Sequence, residues 1–428
     1  MKDQTTLENK KLSPKDIMVV GFALFAMFFG AGNVIFPPYL GIEAGPQWFT
    51  AFVAYYIADI GLALLAVFAL LRVGSSDAVT QRLGKIPAAI LMSAMILCIG
   101  PCVAIPRTAA STYEMAIAPN IGSISSIVFS IIFFAIVLFL CIRESAVVDV
   151  VGAILTPLLL LGLIVIIIKG CITPLGEIAL EPQGDNVILG GVKAGYQTLD
   201  ALAALPFGII VVQSVIDKGY KSKSDQKKAT AAASILAGVL LLIVYGGLCY
   251  LGATVSRQYG LDIARADLIM AIVQALMGKA GMIIFGVVVG LACLTTAIGL
   301  TSSAAAYFSQ LSNGKLSYKL VVIIVCVFSA AASNVGLDTI ISIAAPVLDI
   351  VYPPALVVIL VSLIMPNISD WFSRGAAIGA LLTAVLTTFG VSAMSVLPLY
   401  SMGMHWIIPA IVCGLIGLAL GKGKKAAN

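Results

Sequence analysis

Residues 30 to 38 read Gly30-Ala31-Gly32-Asn33-Val34-Ile35-Phe36-Pro37-Pro38, and they interrupt the first long apolar run of the chain. From Met18 to Phe29 every residue is apolar or small. At ~1.5 Å per helical residue that run reaches roughly halfway across a bilayer. The next nine residues argue against a continuing helix. Two glycines loosen the backbone, Asn33 offers a side chain that competes for backbone hydrogen bonds, and Pro37 and Pro38 each lack an amide hydrogen. In hydrocarbon an unpaired backbone group costs several kcal/mol, so a break at this depth survives where protein covers it or where a ligand or water binds it. Two readings follow: a binding site at the membrane midplane, or a packing kink of the kind glycine and proline make in membrane helices.

The rest of the chain sets the context. Its 428 residues are 61% hydrophobic and 11% charged, with a mean hydropathy of +1.09. A soluble fold of this size has no interior large enough for so much apolar surface, which predicts an all-α, multi-pass membrane protein. The first apolar run is too long for a signal-peptide core and lacks a small-residue cleavage site behind it. Eight cysteines are scattered without a CxxC spacing and read as small apolar fillers. His405 is the only histidine, which removes histidine-based metal sites, haem ligation and a Ser/His/Asp triad. No HExxH or paired-carboxylate motif is present, so the chain does not read as an enzyme. No cofactor is expected.

Apolar runs and their breakers predict twelve spans, at about 17–42, 47–72, 86–117, 123–142, 147–169, 192–216, 228–254, 280–310, 317–332, 339–363, 375–396 and 404–421. Segment 262–277 is amphipathic and too short to span, and is placed on the outer surface as a candidate lid. With the N-terminus inside, 19 of the 25 lysines and arginines fall on the cytoplasmic side. That bias predicts both termini in the cytoplasm of a plasma-membrane protein. It also accounts for the net charge of +5 without nucleic acid.

A second interruption lies in span 6, where Leu199-Asp200-Ala201-Leu202-Ala203-Ala204-Leu205-Pro206-Phe207-Gly208 places a breaker near mid-membrane. Span 1 enters from the cytoplasm and span 6 from outside, five spans later, so the two broken helices run in opposite directions. Inverted repeats broken at corresponding positions point to a secondary transporter with its site between the halves.

Four stretches, GAGNVIFPPYLG in span 1, GPCVAIPR at Gly100 to Arg107, LDALAALPFGIIVV at Leu199 to Val212 and TTAIGLTSS at Thr295 to Ser303, resemble the branched-chain amino acid:cation symporter family of bacteria. The resemblance runs through nearly the whole chain. It implies a leucine-transporter-like fold within the amino acid-polyamine-organocation superfamily: a 5+5 inverted repeat with helices 1 and 6 broken, plus helices 11 and 12. The organisation it implies is a cytoplasmic tail and first repeat over 1–170, a second repeat over 171–365, and the last two helices with a cytoplasmic tail over 366–428. It also implies sodium-driven import of leucine, isoleucine and valine, with membrane lipid the only other partner.

Within that frame, the half-helix starting near Ala31 presents free amides and a positive dipole end to a substrate carboxylate, making Ala31, Gly32 and Asn33 candidate substrate residues. An Asn33 that merely caps the half-helix is the structural alternative. The span 6 break is expected to free carbonyls at Ala203, Ala204 and Leu205 for the ammonium group, with Phe207 closing over an aliphatic side chain. Only Asp200 is charged nearby, which favours an apolar, uncharged substrate side chain. Span 8 carries hydroxyls suited to a hard cation. The resemblance implies a sodium site from the carbonyls of Ala26, Phe29 and Ile298 with the hydroxyls of Thr301 and Ser302; Thr295 and Thr296 are the alternative pair, and back-bonding to the helix is the structural one. Arg107, inside span 3, is expected to be paired or functional, with Glu114, Asp59 and Asp349 as candidate partners. The rival readings are a proton-coupled carrier of another neutral solute and a passive channel, the latter disfavoured by the lack of pore-lining rings or filter loops.

Overall fold

The computed structural model describes residues 12–143 and 147–421, so the terminal tails on which the orientation partly rests lie outside the described residues. Among the described residues every regular element is a helix. Its first half comprises α1 (Pro14–Phe28), α2 (Ala31–Ala44), α3 (Trp48–Tyr56), α4 (Leu62–Val73), α5 (Ser76–Thr80), α6 (Lys85–Leu97), α7 (Ala104–Thr112), α8 (Ser126–Arg143) and α9 (Val147–Ile172). The second comprises α10 (Val187–Thr198), α11 (Asp200–Asp217), α12 (Lys223–Ala253), α13 (Arg265–Leu311), α14 (Tyr318–Ala332), α15 (Leu337–Ile364), α16 (Asp370–Thr388) and α17 (Ile407–Gly421). Among the described residues seven helical stretches are long and apolar enough to cross a membrane, and Ser126–Ile142, Leu159–Ile172 and Ile407–Gly421 are shorter apolar helices.

The predicted break in span 1 is present, and of its expected causes glycine and Asn33 act there while the prolines do not. The helix ends at Phe28 and restarts at Ala31, while Pro37 and Pro38 lie inside α2. Gly30 takes an extended conformation and its amide bends back to the Phe28 carbonyl (2.9 Å) and to Oδ1 of Asn33 (3.2 Å). Glycine and asparagine therefore make the break, and the prolines shape the wall behind it. There α2 lies against α12 with almost no space between backbones. A Cβ on Gly252 would stand 1.9 Å from the Pro38 carbonyl oxygen, and one on Gly41 would stand 2.1 Å from that of Cys249. Small residues of this kind let membrane helices pack on dispersion alone.

Polar groups at the two ends sort the connecting segments. At one end Arg72 donates to the Leu363 carbonyl and Arg82 to that of Pro366, while Arg374 stacks 5.2 Å from Trp371. At the other, Arg257 pairs with Glu177 and Arg265 with Asp338. The long helix α13 bends at Gly278 (φ +67), so its first turns lie apart from the spanning part. They bury Leu268, Ile269, Ile272 and Val273, and Arg265 stacks 4.2 Å from Tyr39 at the outer end of α2. The segment proposed as a lid is thus packed against the half-helix it would cover.

Substituting Gly252 with valine is expected to force α2 from α12 and destabilise the protein by about 2 kcal/mol or more. Gly162→Ala, with nothing within 4 Å of the added carbon, serves as control. Thermal unfolding of the two purified variants checks this; equal melting temperatures would count against the seam.

Candidate functional site

The second break lies at Leu199, not at Ala203 to Leu205. Leu199 adopts a left-handed conformation (φ 75°) between α10 and α11, and Ala203, Ala204, Leu205 and Pro206 all fall inside α11. Proline in a helix interior costs one hydrogen bond, which a packed helix tolerates. A local start signal was present in the sequence. Thr198 and Asp200 are the residue types that open helices, and they interrupt an otherwise apolar run.

The carbonyls released at this break are those of Gln197 and Thr198, and they are already engaged. Arg107, only 3% exposed, reaches across from α7 and donates to both, at 2.5 and 3.1 Å. Its guanidinium also lies over Phe36, 5.6 Å from the ring centre, and against Gly32, where a Cβ would come within 2.8 Å of Nη2. One side chain therefore touches both broken helices. The expected partner Glu114 is elsewhere, accepting from the Leu337 amide at 2.9 Å.

Asn33 joins the two breaks from the other side. Its Oδ1 caps the Gly30 amide, and its Nδ2 donates to Oδ2 of Asp200 (2.7 Å) and to the Tyr245 hydroxyl on α12 (2.6 Å). Both the capping role and a role in the site are thus compatible with its position. Asp59, fully buried in a widened turn over Ile57–Gly61, meets Thr198 at 2.7 Å. Widened turns of this type recur at functional sites because the extra residue re-aims a side chain. The setting expected to lack charge thus contains Asp59, Arg107 and Asp200 in direct proximity. Lone acids in an apolar run carry no signal of which partner they meet, and Leu199 lacks the glycine or proline that marks such a bend.

Between the breaks lies a cavity lined by Phe28, Gly30, Ala31, Asn33, Ile99, Arg107, Leu199, Asp200, Ala203, Phe207, Thr296 and Leu300, among others. Ala31, Asn33, Ala203 and Phe207 of the expected substrate residues line it; Gly32 faces Arg107, and Ala204 and Leu205 are buried in the helix behind. Phe207 packs edge-on against Phe28, with ring centres 5.8 Å apart. The open volume is about 30 Å³, roughly the share of one water molecule in liquid. An amino acid enters only when these helices part.

At the proposed cation site the amides of Gly30 and Asn33 are engaged locally, with Phe28 and Gly30 carbonyls respectively. The carbonyls of Ala26 and Phe29 thereby lose their usual helical donors. Thr301 is fully buried and its hydroxyl has no partner among the described residues. Ser302 points elsewhere, towards Cys141 on α8 (3.6 Å), and the Ile298 carbonyl accepts from that same thiol (3.6 Å). Of the alternative pair, Thr295 back-bonds to Ala292 (2.8 Å) while Thr296 lines the cavity beside Gly30. Of the four hydroxyls, Thr296 alone lines the cavity and Thr301 alone is fully buried without a partner among the described residues.

Two interrupted helices enclosing a buried cavity are the architecture of a leucine-transporter-like secondary transporter. Comparison of folds agrees: Mhp1, a nucleobase-cation-symport-1 family transporter, superposes with a TM-score of 0.63 at 16% identity, covering 96% of each chain. A Na+-coupled sialic acid symporter gives 0.63 at 14% identity, covering 94% of this chain and 90% of the other. The chain belongs to the branched-chain amino acid transport protein family, whose model matches residues 13–424. It is 37% identical to the branched-chain amino acid permease BraB of Bacillus subtilis (strain 168) over 96% of both chains. The branched-chain amino acid transport system 3 carrier protein of Pseudomonas aeruginosa is 34% identical over 97% of this chain and 99% of its own. The protein is accordingly a multi-pass plasma-membrane transporter and not an enzyme.

Gly32→Leu is expected to insert normally, to push Arg107 off the Gln197 and Thr198 carbonyls, and to weaken substrate binding by about tenfold or more, taking ~1.4 kcal/mol as the least cost of the lost contacts. Equilibrium binding to purified protein reads this directly; unchanged affinity would show that Arg107 does not organise the site.

Proposed function

We propose that the protein imports leucine, isoleucine and valine together with sodium, by alternating access around the cavity at the two helix breaks. The observation that carries this reading is the meeting of the start of α2 at Ala31 with an aliphatic and aromatic wall of Phe28, Ile99, Phe207 and Leu300. Amides at a helix start suit a carboxylate, and such a wall suits a branched apolar side chain. The family to which the chain belongs, and the names of its relatives, support the substrate class. Twelve spans, the 5+5 inverted repeat with the boundaries given above, and cytoplasmic termini are part of the same proposal.

Sodium is assigned to the Ala26 and Phe29 carbonyls and the Thr301 hydroxyl, supported by the helical donors those carbonyls lose at the break and by the Thr301 hydroxyl, unpartnered among the described residues, with Thr296, which lines the cavity, as the alternative oxygen. The driving force is sufficient with one ion. An inward-moving sodium gains ~2.3 kcal/mol per 100 mV, and a tenfold gradient adds ~1.4 kcal/mol, enough for roughly several hundredfold accumulation of a zwitterion.

Uptake of labelled leucine into proteoliposomes is expected to require sodium and to be displaced by valine but not by lysine; equal displacement by lysine would exclude the apolar-site reading. Thr301→Ala with Ser302→Ala is expected to raise the sodium concentration for half-maximal uptake by about tenfold or more, at ~1 kcal/mol or above per lost oxygen. Since Ser302 faces Cys141, Thr301→Ala alone should carry most of that shift. Asn33→Ala should weaken leucine binding more than it shifts the sodium requirement. If neither these hydroxyls nor those of Thr295 and Thr296 matter, the sodium does not bind beside α13.

A further inference from the structure

The proton count at the second break does not close with both acids ionised. The Thr198 hydroxyl oxygen lies 2.7 Å from Oδ1 of Asp59 and 2.6 Å from the Gly195 carbonyl oxygen. Threonine has one hydroxyl proton, and a carboxylate and a carbonyl only accept. Two separate hydrogen bonds here need a second proton, and only Asp59 can supply it, to the Thr198 oxygen. The charge count agrees: two carboxyl groups and one guanidinium are buried together at Asp59, Asp200 and Arg107, and an unbalanced charge in such a place is far costlier than a neutral acid.

A second, independent feature points the same way. The Tyr55 hydroxyl, on a fully buried side chain, lies within hydrogen-bonding reach of Asp59, and so does the Asp200 carboxyl from α11. Two carboxyl groups share a hydrogen bond only when one of them keeps its proton. The groups facing Asp59 are Tyr55 and Tyr56 on its own helix, Asp200 on α11, Arg107 on α7, Tyr245 on α12 and Tyr352 on α15. Asp200 also lines the cavity, giving the buried acid a route to the substrate compartment. A metal ion suits the cluster poorly, because Arg107 and Nδ2 of Asn33 both bring donors to it.

We infer that Asp59 and Asp200 form a proton-binding site at the helix 6 break, which holds one proton on Asp59 when the cavity is closed and exchanges it through Asp200. The protonated site, with Arg107, is electrically neutral and leaves the cavity suited to a zwitterion with an apolar side chain. Loss of the proton to water leaves a net negative charge beside the break, and the closed arrangement is then disfavoured.

Infrared spectroscopy of the purified full chain without substrate tests the site. A carbonyl stretch of a protonated carboxyl is expected in the wild type, lost in Asp59→Asn, and lost also in Asp200→Asn, because Arg107 then balances an ionised Asp59. Absence of a band sensitive to Asp59→Asn, or its persistence in either variant, overturns the proposal. Thr198→Val keeps both acids and removes the acceptor of the Asp59 proton, so the band should move; a band that stays put also overturns it. The transport arm rests on the cavity being the substrate site. In proteoliposomes with equal pH on both sides and constant sodium, leucine exchange should fall by about tenfold per pH unit once the site titrates, the dependence of a single proton. Asp59→Asn should abolish that slope, and a wild-type slope in this variant overturns the proposal. Failure of leucine exchange with the infrared result intact would instead count against the substrate assignment.

Discussion

The contact on which this architecture depends is that of Arg107 with the Gln197 and Thr198 carbonyls. Breaking a helix inside a bilayer releases backbone groups that no solvent can satisfy, so the break at Leu199 is affordable only because an internal cation covers it. A buried guanidinium is itself costly, and Asp200 stands where it reduces that cost. Breaks, arginine and acids therefore form a closed set. Removing one member leaves another uncompensated, which is the condition under which buried polar groups become expensive.

Asn33 repeats this logic in span 1. The same side chain caps the restarted helix, binds Asp200 and reaches Tyr245 on α12. The two breaks are thus linked by side chains from α7 and α2, while the Gly41 and Gly252 seam holds α2 against α12. Movement of one half-helix is transmitted to the other through short, directional contacts, as a carrier with one central site requires.

Much of the membrane class, the break in span 1 and the family resemblance was legible in the sequence, because apolar run length and the Gly30–Asn33 pattern act locally. The position of the span 6 break was not. Pro206 is the stronger breaker by composition, yet the helix runs through it, and the weaker start signal of Thr198 and Asp200 prevails because Arg107 covers the carbonyls released at Leu199. Arg107 stood out as costly in hydrocarbon, but its acceptors are backbone oxygens, which have no signature in side-chain composition. The hydroxyls of span 8 show the reverse. Their chemistry was plain, and only the helix's rotation separates Thr296, lining the cavity, from Ser302, turned to Cys141.

The smallness of the cavity has a steric consequence. A site of about 30 Å³ admits water and excludes an amino acid while the helices stay together. Volume thus acts as a sieve before any chemistry does: what reaches the breaks in this arrangement is decided by size.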